Sequence, residues 1–101
     1  MAKRIIWAKE ALADRIQILD YWYQRLGTKD YSFQLDDMFK EIIKLLAEFP
    51  SLGRKLENRE ERFFTKNHYQ IYYLDEEDSI KILHIWDTRR DPEDFIHDIE
   101  R

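Results

Sequence analysis

The sequence contains no cysteine, and only two glycines and two prolines occur among its 101 residues. Without cysteine, a disulfide scaffold, a thiolate zinc site and a cysteine nucleophile are all excluded. The absence also fits a reducing compartment. So little glycine and proline leaves no room for long flexible linkers, and the length predicts a single domain over residues 1–101.

The chain also lacks long hydrophobic runs and an excess of positive charge. No run of about 18 apolar residues is present, so no membrane span is expected. The N-terminal "MAKRIIW" has basic residues without the apolar region of a signal peptide, and we predict a cytoplasmic protein. The net charge of −4 argues against a general nucleic-acid binder held by bulk electrostatics.

The hydrophobic content of 44% and aromatic content of 15% are typical of a globular chain. "RIIW" at residues 4–7 predicts a strand. Two amphipathic helices should follow, the first ending at Gly27 and the second at Pro50. The first stripe comprises Leu12, Ile16, Leu19, Tyr23 and Leu26, widened by Ile18 and Trp22, and the second comprises Leu35, Met38, Phe39, Ile42, Leu45, Leu46 and Phe49.

The second half of the chain predicts a small sheet. Residues 51–61 are the one candidate long loop, and strands are expected at residues 62–66, 69–75 and 79–88. The last strand is apolar on both faces, which is typical of a central strand. We expect Ile80, Ile82, His84 and Trp86 on one side of it, with Leu83 and Ile85 on the other.

Asp91 as N-cap, Pro92 at the first helical position and Asp94 in the first turn predict a final short helix. The predicted order is β-α-α-β-β-β-α. This order indicates an α+β fold in which a helix hairpin packs on a small, mostly antiparallel sheet.

Histidines and acids offer little catalytic signal. No histidine has a second histidine at metal spacing, so no metal site or cofactor is predicted. His84 alternates with apolar residues, and a core-facing histidine with a hydrogen-bond partner is favoured over a catalytic base.

Basic residues give a stronger signal. Antiparallel strands are expected to bring Arg62 and Lys66 near the end of the last strand, where Arg89 and Arg90 lie. Such a group would bind phosphate or a partner's carboxylates. The alternative is a solvated rim in which Asp87 and Asp91 pair with the arginines.

Aromatic residues are abundant in the predicted sheet. Phe63 and Phe64 should point to opposite faces, as should Tyr72 and Tyr73. If the helices cover one face, the other retains exposed aromatics, either as a binding surface for a partner or as the pocket under the final helix.

Several segments together resemble the RelE/ParE toxin superfamily of type II toxin–antitoxin (plasmid stabilisation) modules. They are "RIIW", "ALADRIQILDYW", "FPSLGRKL" and "RFFTKNHYQIYYLDEEDSIKILHIWDTRRDP", of which "PSLGR" and "ILHIWDTRRDP" are the most specific. The resemblance covers nearly the full length. It implies a bacterial growth-inhibiting toxin that a cognate antitoxin neutralises by wrapping it.

The superfamily divides by mechanism. RelE-like members cleave mRNA on the ribosome, and ParE-like members poison DNA gyrase. Here Phe64 stands between Arg62 and Lys66 at the matching basic site, no tyrosine follows the last strand, and the isoelectric point is near 5.4. These features favour the ParE-like side, with a non-enzymatic protein as the expectation.

The resemblance therefore yields two sets of site residues and two alternative functions. The expected binding residues are Arg62, Phe64, Lys66, Tyr72, Arg89 and Arg90. The alternatives to a gyrase-binding toxin are a ribosome-dependent endoribonuclease and a non-toxic co-repressor that only binds its antitoxin. A nuclease would use Arg62, Lys66, Arg89 and Arg90 on the phosphate, with His84 or Asp87 in proton transfer.

Overall fold

A computed structural model describes residues 2–89 of the chain. Two helices and five strands are present over these residues, and every strand and helix predicted within them is found. The predicted final helix from Asp91 lies outside the described residues. The elements are β1 (Arg4–Trp7), α1 (Lys9–Leu26), α2 (Asp30–Glu48), β2 (Arg54–Lys55), β3 (Arg62–Lys66), β4 (Tyr69–Asp75) and β5 (Ser79–Asp87).

The helix ends follow the predicted signals. Gly27 adopts a left-handed conformation with φ of 74°, and its N–H donates to the Tyr23 carbonyl at 2.9 Å, which caps α1. α2 ends at Glu48, two residues before Pro50, whose missing N–H and restricted neighbour prevent continuation. Within residues 2–89, neither helix has the length and apolarity needed to cross a membrane.

The strands form one mixed sheet in the order β1-β5-β4-β3-β2. β1 runs parallel to β5, and the other neighbouring pairs are antiparallel. β5 therefore lies inside the sheet, as its apolar faces predicted. The helix hairpin between β1 and β2 packs on the sheet and completes an α+β fold.

Residues 51–61 are more ordered than a loop. A 3₁₀ turn occupies Pro50–Leu52, and the two residues of β2 pair with β3, Arg54 opposite Phe63. The predicted loop is therefore shorter than expected. β2 was not predicted because a two-residue strand is too short to show any hydrophobic alternation. The consequence is an additional edge strand at the β3 side of the sheet.

A bulge in β5 changes which residues face the helices. Tyr72 pairs with His84, but Tyr73 pairs with Ile82, so Leu83 has no opposite residue. Beyond the bulge, Ile85 joins the core cluster under the helices. The expected alternation is therefore wrong after Ile82, since His84 lies in register with Tyr72 on the other face.

The core is built mainly from one face of α2 and the inner strands. Six α2 residues are buried side chains of the cluster: Leu35, Phe39, Ile42, Ile43, Leu46 and Ala47. They pack with Tyr69, Ile71 and Tyr73 of β4 and with Ile80, Ile82 and Ile85 of β5.

α1 contributes little to this core. Its buried residues are Ala11 and Ile18, whereas Ile16 is 68% exposed. The apolar stripe that identified α1 as a helix thus lies mostly on its solvent side, with Leu12, Tyr23 and Leu26 also exposed.

Candidate functional site

Arg89 follows β5 and is held in one position by its neighbours. Its Nε and Nη2 donate to the two carboxylate oxygens of Asp87 at 2.9 and 2.8 Å, and its backbone N–H donates to Asp87 Oδ1 at 2.9 Å. Nη2 also donates to the Tyr69 hydroxyl at 3.2 Å. The guanidinium carbon lies 5.2 Å from the centre of the Trp22 ring, within cation–π range.

Tyr69 joins this arginine to the core. Its hydroxyl accepts a second hydrogen bond, from Trp22 Nε1 at 2.9 Å, while its ring packs edge-to-face on Phe39. Burial raises the pKa of the Tyr69 hydroxyl, so it remains a neutral phenol. The hydrogen bond to Asp87 raises the pKa of Arg89 above its ordinary value, so the guanidinium remains charged. The strand end therefore presents a fixed ion pair between Arg89 and Asp87.

A pocket of about 360 Å³ opens beside Arg89, between the end of β5 and α1. Among the described residues its lining combines two guanidinium groups, one carboxylate, two aromatic rings and one aliphatic side chain. These belong to Arg25, Arg89, Asp87, Tyr21, Trp22 and Ile18.

The other predicted basic residues are not gathered at this pocket. Lys66 shares a row of the sheet with Tyr69 and Asp87, as expected for the end of the last strand. Arg62 lies at the opposite end of β3, roughly 13 Å further along the strand. Its Nη1 donates to the Gly53 carbonyl at 2.8 Å, so the expectation that Arg62 would reach the end of β5 is wrong.

The "PSLG" segment is held by Tyr73, a role that the sequence did not reveal. The buried Tyr73 hydroxyl donates to the Pro50 carbonyl at 2.6 Å and accepts from the Gly53 N–H at 2.9 Å. A β-carbon at Gly53 would lie 2.5 Å from this oxygen and 2.8 Å from the Phe63 carbonyl. The glycine is required for close packing, with a φ of −74° that any residue could adopt.

The sheet face away from the helices carries Phe63 and Tyr72, whose rings stack 5.6 Å apart. Tyr72 is only 6% exposed, so the expectation of an exposed aromatic is wrong at this position. Its hydroxyl donates to Gln70 Oε1 at 2.7 Å, and burial raises its pKa to about 12. Phe64 points the other way, as predicted, and packs against the core under the helices.

His84 has the hydrogen-bond partner that was expected, but it does not face the core, since the bulge places it in register with Tyr72. Its Nδ1 lies 3.2 Å from Asp14 Oδ2, and the same oxygen accepts the Ile85 N–H at 3.1 Å. β1 ends opposite Ile82, so α1 rather than a strand flanks the rest of β5 on this side. Asp14 thus satisfies a strand N–H that β1 does not reach.

A smaller groove of about 170 Å³ lies beside His84 and Tyr72, with Arg59, Glu61 and Lys81 among its lining residues. Arg59 is already paired with Glu61, whose carboxylate it contacts at 3.2 Å. That pairing lowers the pKa of Glu61. The groove therefore brings His84 together with Lys81 and with the ion pair between Arg59 and Glu61.

The two helices expose several large apolar side chains. We call this set the helix stripe and define it as Leu12, Ile16, Tyr23 and Leu26 of α1 with Phe33 of α2, which is 64% exposed. Between the helices, Leu19, Tyr23 and Phe33 line a groove of about 410 Å³ whose edges carry Asp20, Lys29 and Asp36. Such a surface on a small chain is typical of a protein-binding site.

Two further expectations concern metals and the chain end. Over residues 2–89, no group of three or more histidine or carboxylate side chains is arranged to hold a metal ion. Arg90, assigned to the site by sequence, lies outside the described residues, as does Asp91, its predicted partner.

Comparison with known proteins places these features in context. Residues 5–92 match the sequence model described as "ParE toxin of type II toxin-antitoxin system, parDE". No curated protein matches the chain. Among solved structures, a chain of the "Chromosomal ParDE TA system from P. aeruginosa" is similar, with a TM-score of 0.73 and 21% sequence identity. The similarity covers 85% of this chain and 96% of that one, and it supports the observed fold.

Proposed function

Because this chain belongs to the ParE toxin family of type II toxin–antitoxin systems, we propose that it inhibits growth by binding DNA gyrase in the cytoplasm. The proposed action needs no chemistry at the toxin itself. We further propose that a cognate antitoxin neutralises it by covering the helix stripe.

The basic residues are dispersed over the sheet, and this observation supports binding of a protein target rather than cleavage of RNA. A nuclease needs cations and a proton-transfer group converging within hydrogen-bond reach of one phosphate. Here Arg62 donates to the Gly53 carbonyl at one end of the sheet, while Arg89 is chelated by Asp87 at the other. Over residues 2–89, the arginines assigned to phosphate binding therefore do not converge. This arrangement favours a surface that binds a protein.

The helix stripe supports the antitoxin part of the proposal. Ile16 and Phe33 are 68% and 64% exposed, although both are large apolar side chains on well-formed helices. Such residues stabilise a complex when an amphipathic segment covers them, at roughly 25 cal/mol per Å² of apolar surface removed from water. The groove between α1 and α2 offers a place for a helical segment.

Two assays on the purified chain test the target. We expect it to inhibit supercoiling by gyrase, or to trap cleaved plasmid, while leaving mRNA intact in a translation reaction. Arg89→Ala should weaken this inhibition if the β5 end forms part of the working surface. Ribosome-dependent mRNA cleavage with unaffected gyrase would exclude the proposed mechanism.

Rescue of growth by the product of the adjacent gene tests neutralisation. Ile16→Asp is expected to weaken rescue, since it places a charge in the middle of the helix stripe. Lys44→Asp, at an exposed α2 position, serves as the control and should leave rescue unchanged. Each variant is compared with its own growth without the antitoxin. Equal rescue of both variants would show that the helix stripe is not part of the interface with the antitoxin.

A ribosome-dependent endoribonuclease is the second candidate. The contact between His84 and Asp14 favours it, because a carboxylate can orient an imidazole for proton transfer. His84 also lines a groove with the cations Arg59 and Lys81. If mRNA is cleaved, His84→Gln should abolish cleavage and Arg89→Ala should not, since Arg89 is held at a different pocket.

A further inference from the structure

The pocket beside Arg89 has the composition of a carboxylate site. We propose that it receives an aspartate or glutamate side chain of the neutralising antitoxin, between Arg25 of α1 and Arg89 at the end of β5. This inference rests on the proposed neutralisation and specifies the chemistry of one contact in it.

The charges of the pocket favour a single negative group. Its described lining carries two guanidinium groups against one carboxylate, in a chain whose net charge is −4. Asp87 occupies Nε and Nη2 of Arg89. Arg25 is exposed, and within the described chain its one side-chain contact is a long one, 3.5 Å from Nη1 to the Tyr21 hydroxyl. Arg25 thus retains donors for an incoming anion.

Asp87 also decides which anion fits. Its carboxylate lines the same pocket, and like charges repel strongly where water is partly excluded. A singly charged carboxylate meets less repulsion than a phosphate carrying up to two charges. The geometry of a guanidinium suits a carboxylate equally well, because two parallel N–H donors match its two oxygens. A protein carboxylate is therefore the better match.

The pocket walls are apolar and rigid. Ile18 and the rings of Tyr21 and Trp22 face it, and these rings pack edge-to-face with centroids 5.1 Å apart. The hydrogen bond from Trp22 Nε1 to Tyr69 fixes the indole. An acidic residue flanked by aliphatic side chains would place its carboxylate on the arginines and its neighbours on these walls.

The pocket and the helix stripe lie on different sides of α1. Tyr21 and Arg25 are four residues apart and share one face of the helix, whereas Tyr23 and Leu26 of the stripe are one or two positions from them and lie on another face. An antitoxin segment that covers the stripe would therefore have to wrap around α1 to place its acidic residue in the pocket.

Peptide titration of the full chain tests the site, with the Trp22 Nε1–H resonance as the reporter, assigned through Trp22→Phe. The probes are capped Leu-Glu-Leu, capped Leu-Gln-Leu and inorganic phosphate. We expect the glutamate peptide to shift this resonance saturably in the millimolar range. The glutamine peptide and phosphate should bind on the order of tenfold more weakly.

Arg25→Met distinguishes binding at this pocket from nonspecific electrostatic attraction, since it removes the guanidinium and keeps an unbranched side chain. Arg25→Met should weaken binding of the glutamate peptide by about tenfold, whereas Lys44→Met should leave this binding unchanged. In cells, Arg25→Glu should reduce rescue by the antitoxin more than Lys44→Glu does. Equal binding of the two peptides, tighter binding of phosphate, the absence of a saturable shift, or no effect of the Arg25 variants would overturn the proposal.

These outcomes separate the pocket from the toxin function. A chain that binds the glutamate peptide but neither inhibits growth nor acts on gyrase contradicts the proposed function and supports the carboxylate site. A toxic chain that does not bind the peptide contradicts the site alone.

Discussion

The hydroxyl of Tyr73 accepts a hydrogen bond from the Gly53 N–H at 2.9 Å, across 20 positions in the sequence. Through this contact a buried β4 side chain holds the turn that leads from α2 into the edge of the sheet. The same hydroxyl donates to the Pro50 carbonyl. The "PSLG" part of the segment that resembles the toxin superfamily is therefore explained by packing around one phenol oxygen.

Removing this oxygen should destabilise the fold. Tyr73→Phe leaves the Gly53 N–H and the Pro50 carbonyl without their partner, at an expected cost of about 1–3 kcal/mol. Urea denaturation followed by circular dichroism measures the change. Tyr23→Phe, at an exposed α1 position, is the matched control and should change stability by less than about 0.5 kcal/mol. Equal effects of the two variants would contradict this role.

Gly53→Ala should be destabilising by steric overlap. The added β-carbon would lie 2.5 Å from the Tyr73 hydroxyl and 2.8 Å from the Phe63 carbonyl, and we expect a loss of about 1–3 kcal/mol. Tyr73→Phe removes the overlap with the hydroxyl but keeps the one with the ring carbon Cε1, at 2.8 Å. The double variant should therefore lose somewhat less than the sum of the two single losses. Strictly additive losses in a double-mutant cycle would show that the two residues are not coupled.

The two faces of α1 should respond differently to truncation. Ile18 is 6% exposed, and Ile18→Ala should cost about 2–4 kcal/mol because it opens a cavity in the core. Ile16 is 68% exposed, and Ile16→Ala should cost less than about 0.5 kcal/mol. Thermal and chemical unfolding of this matched pair measures both. A larger loss at Ile16 would mean that α1 buries its other face.

Acid should remove the contribution of one ion pair between the helices. Arg15 donates to both Asp36 oxygens at 2.7 and 2.8 Å and lowers the pKa of that carboxyl in the folded state. The stabilisation is therefore present above the unfolded-state pKa of about 3.9 and is lost as the pH falls through the lower, folded-state value.

Asp36→Asn should thus cost about 1 kcal/mol at neutral pH, and the difference from the original chain should shrink below about pH 4. Unfolding curves across this range measure it. Asp37→Asn, at the exposed neighbouring position, should show no such pH-dependent difference. If the difference in unfolding free energy between Asp36→Asn and the original chain stays the same in acid, the ion pair is not its cause.

Local patterns in the sequence predicted most of the architecture. The strands over residues 62–66 and 69–75 and the cap at Gly27 were predicted from alternation and from one glycine, because these features depend on neighbouring residues. The β2 strand was missed because it is only two residues long. The bulge at Leu83 was missed because its cause lies in pairing with β4, and no residue type marks it.

The candidate site depended much more on distant contacts. Sequence identified Arg89 and gave its pairing with Asp87 as the alternative to a binding role, since these residues are two positions apart. It did not identify Trp22, Tyr69 or Arg25 as neighbours, because α1 and β4 reach that point only through the fold. It also grouped Arg62 with Arg89, which the register of β3 and β4 prevents.

The sequence by itself determined the elements, their order and the toxin family, since periodicity, caps and motifs are written along the chain. Only the tertiary structure decided which face of α1 is buried and where each arginine side chain lies. α1 has apolar residues on more than one side, and helix periodicity alone does not say which side meets the sheet. That choice is made by packing against β5, and it leaves the helix stripe exposed and Arg25 beside Arg89.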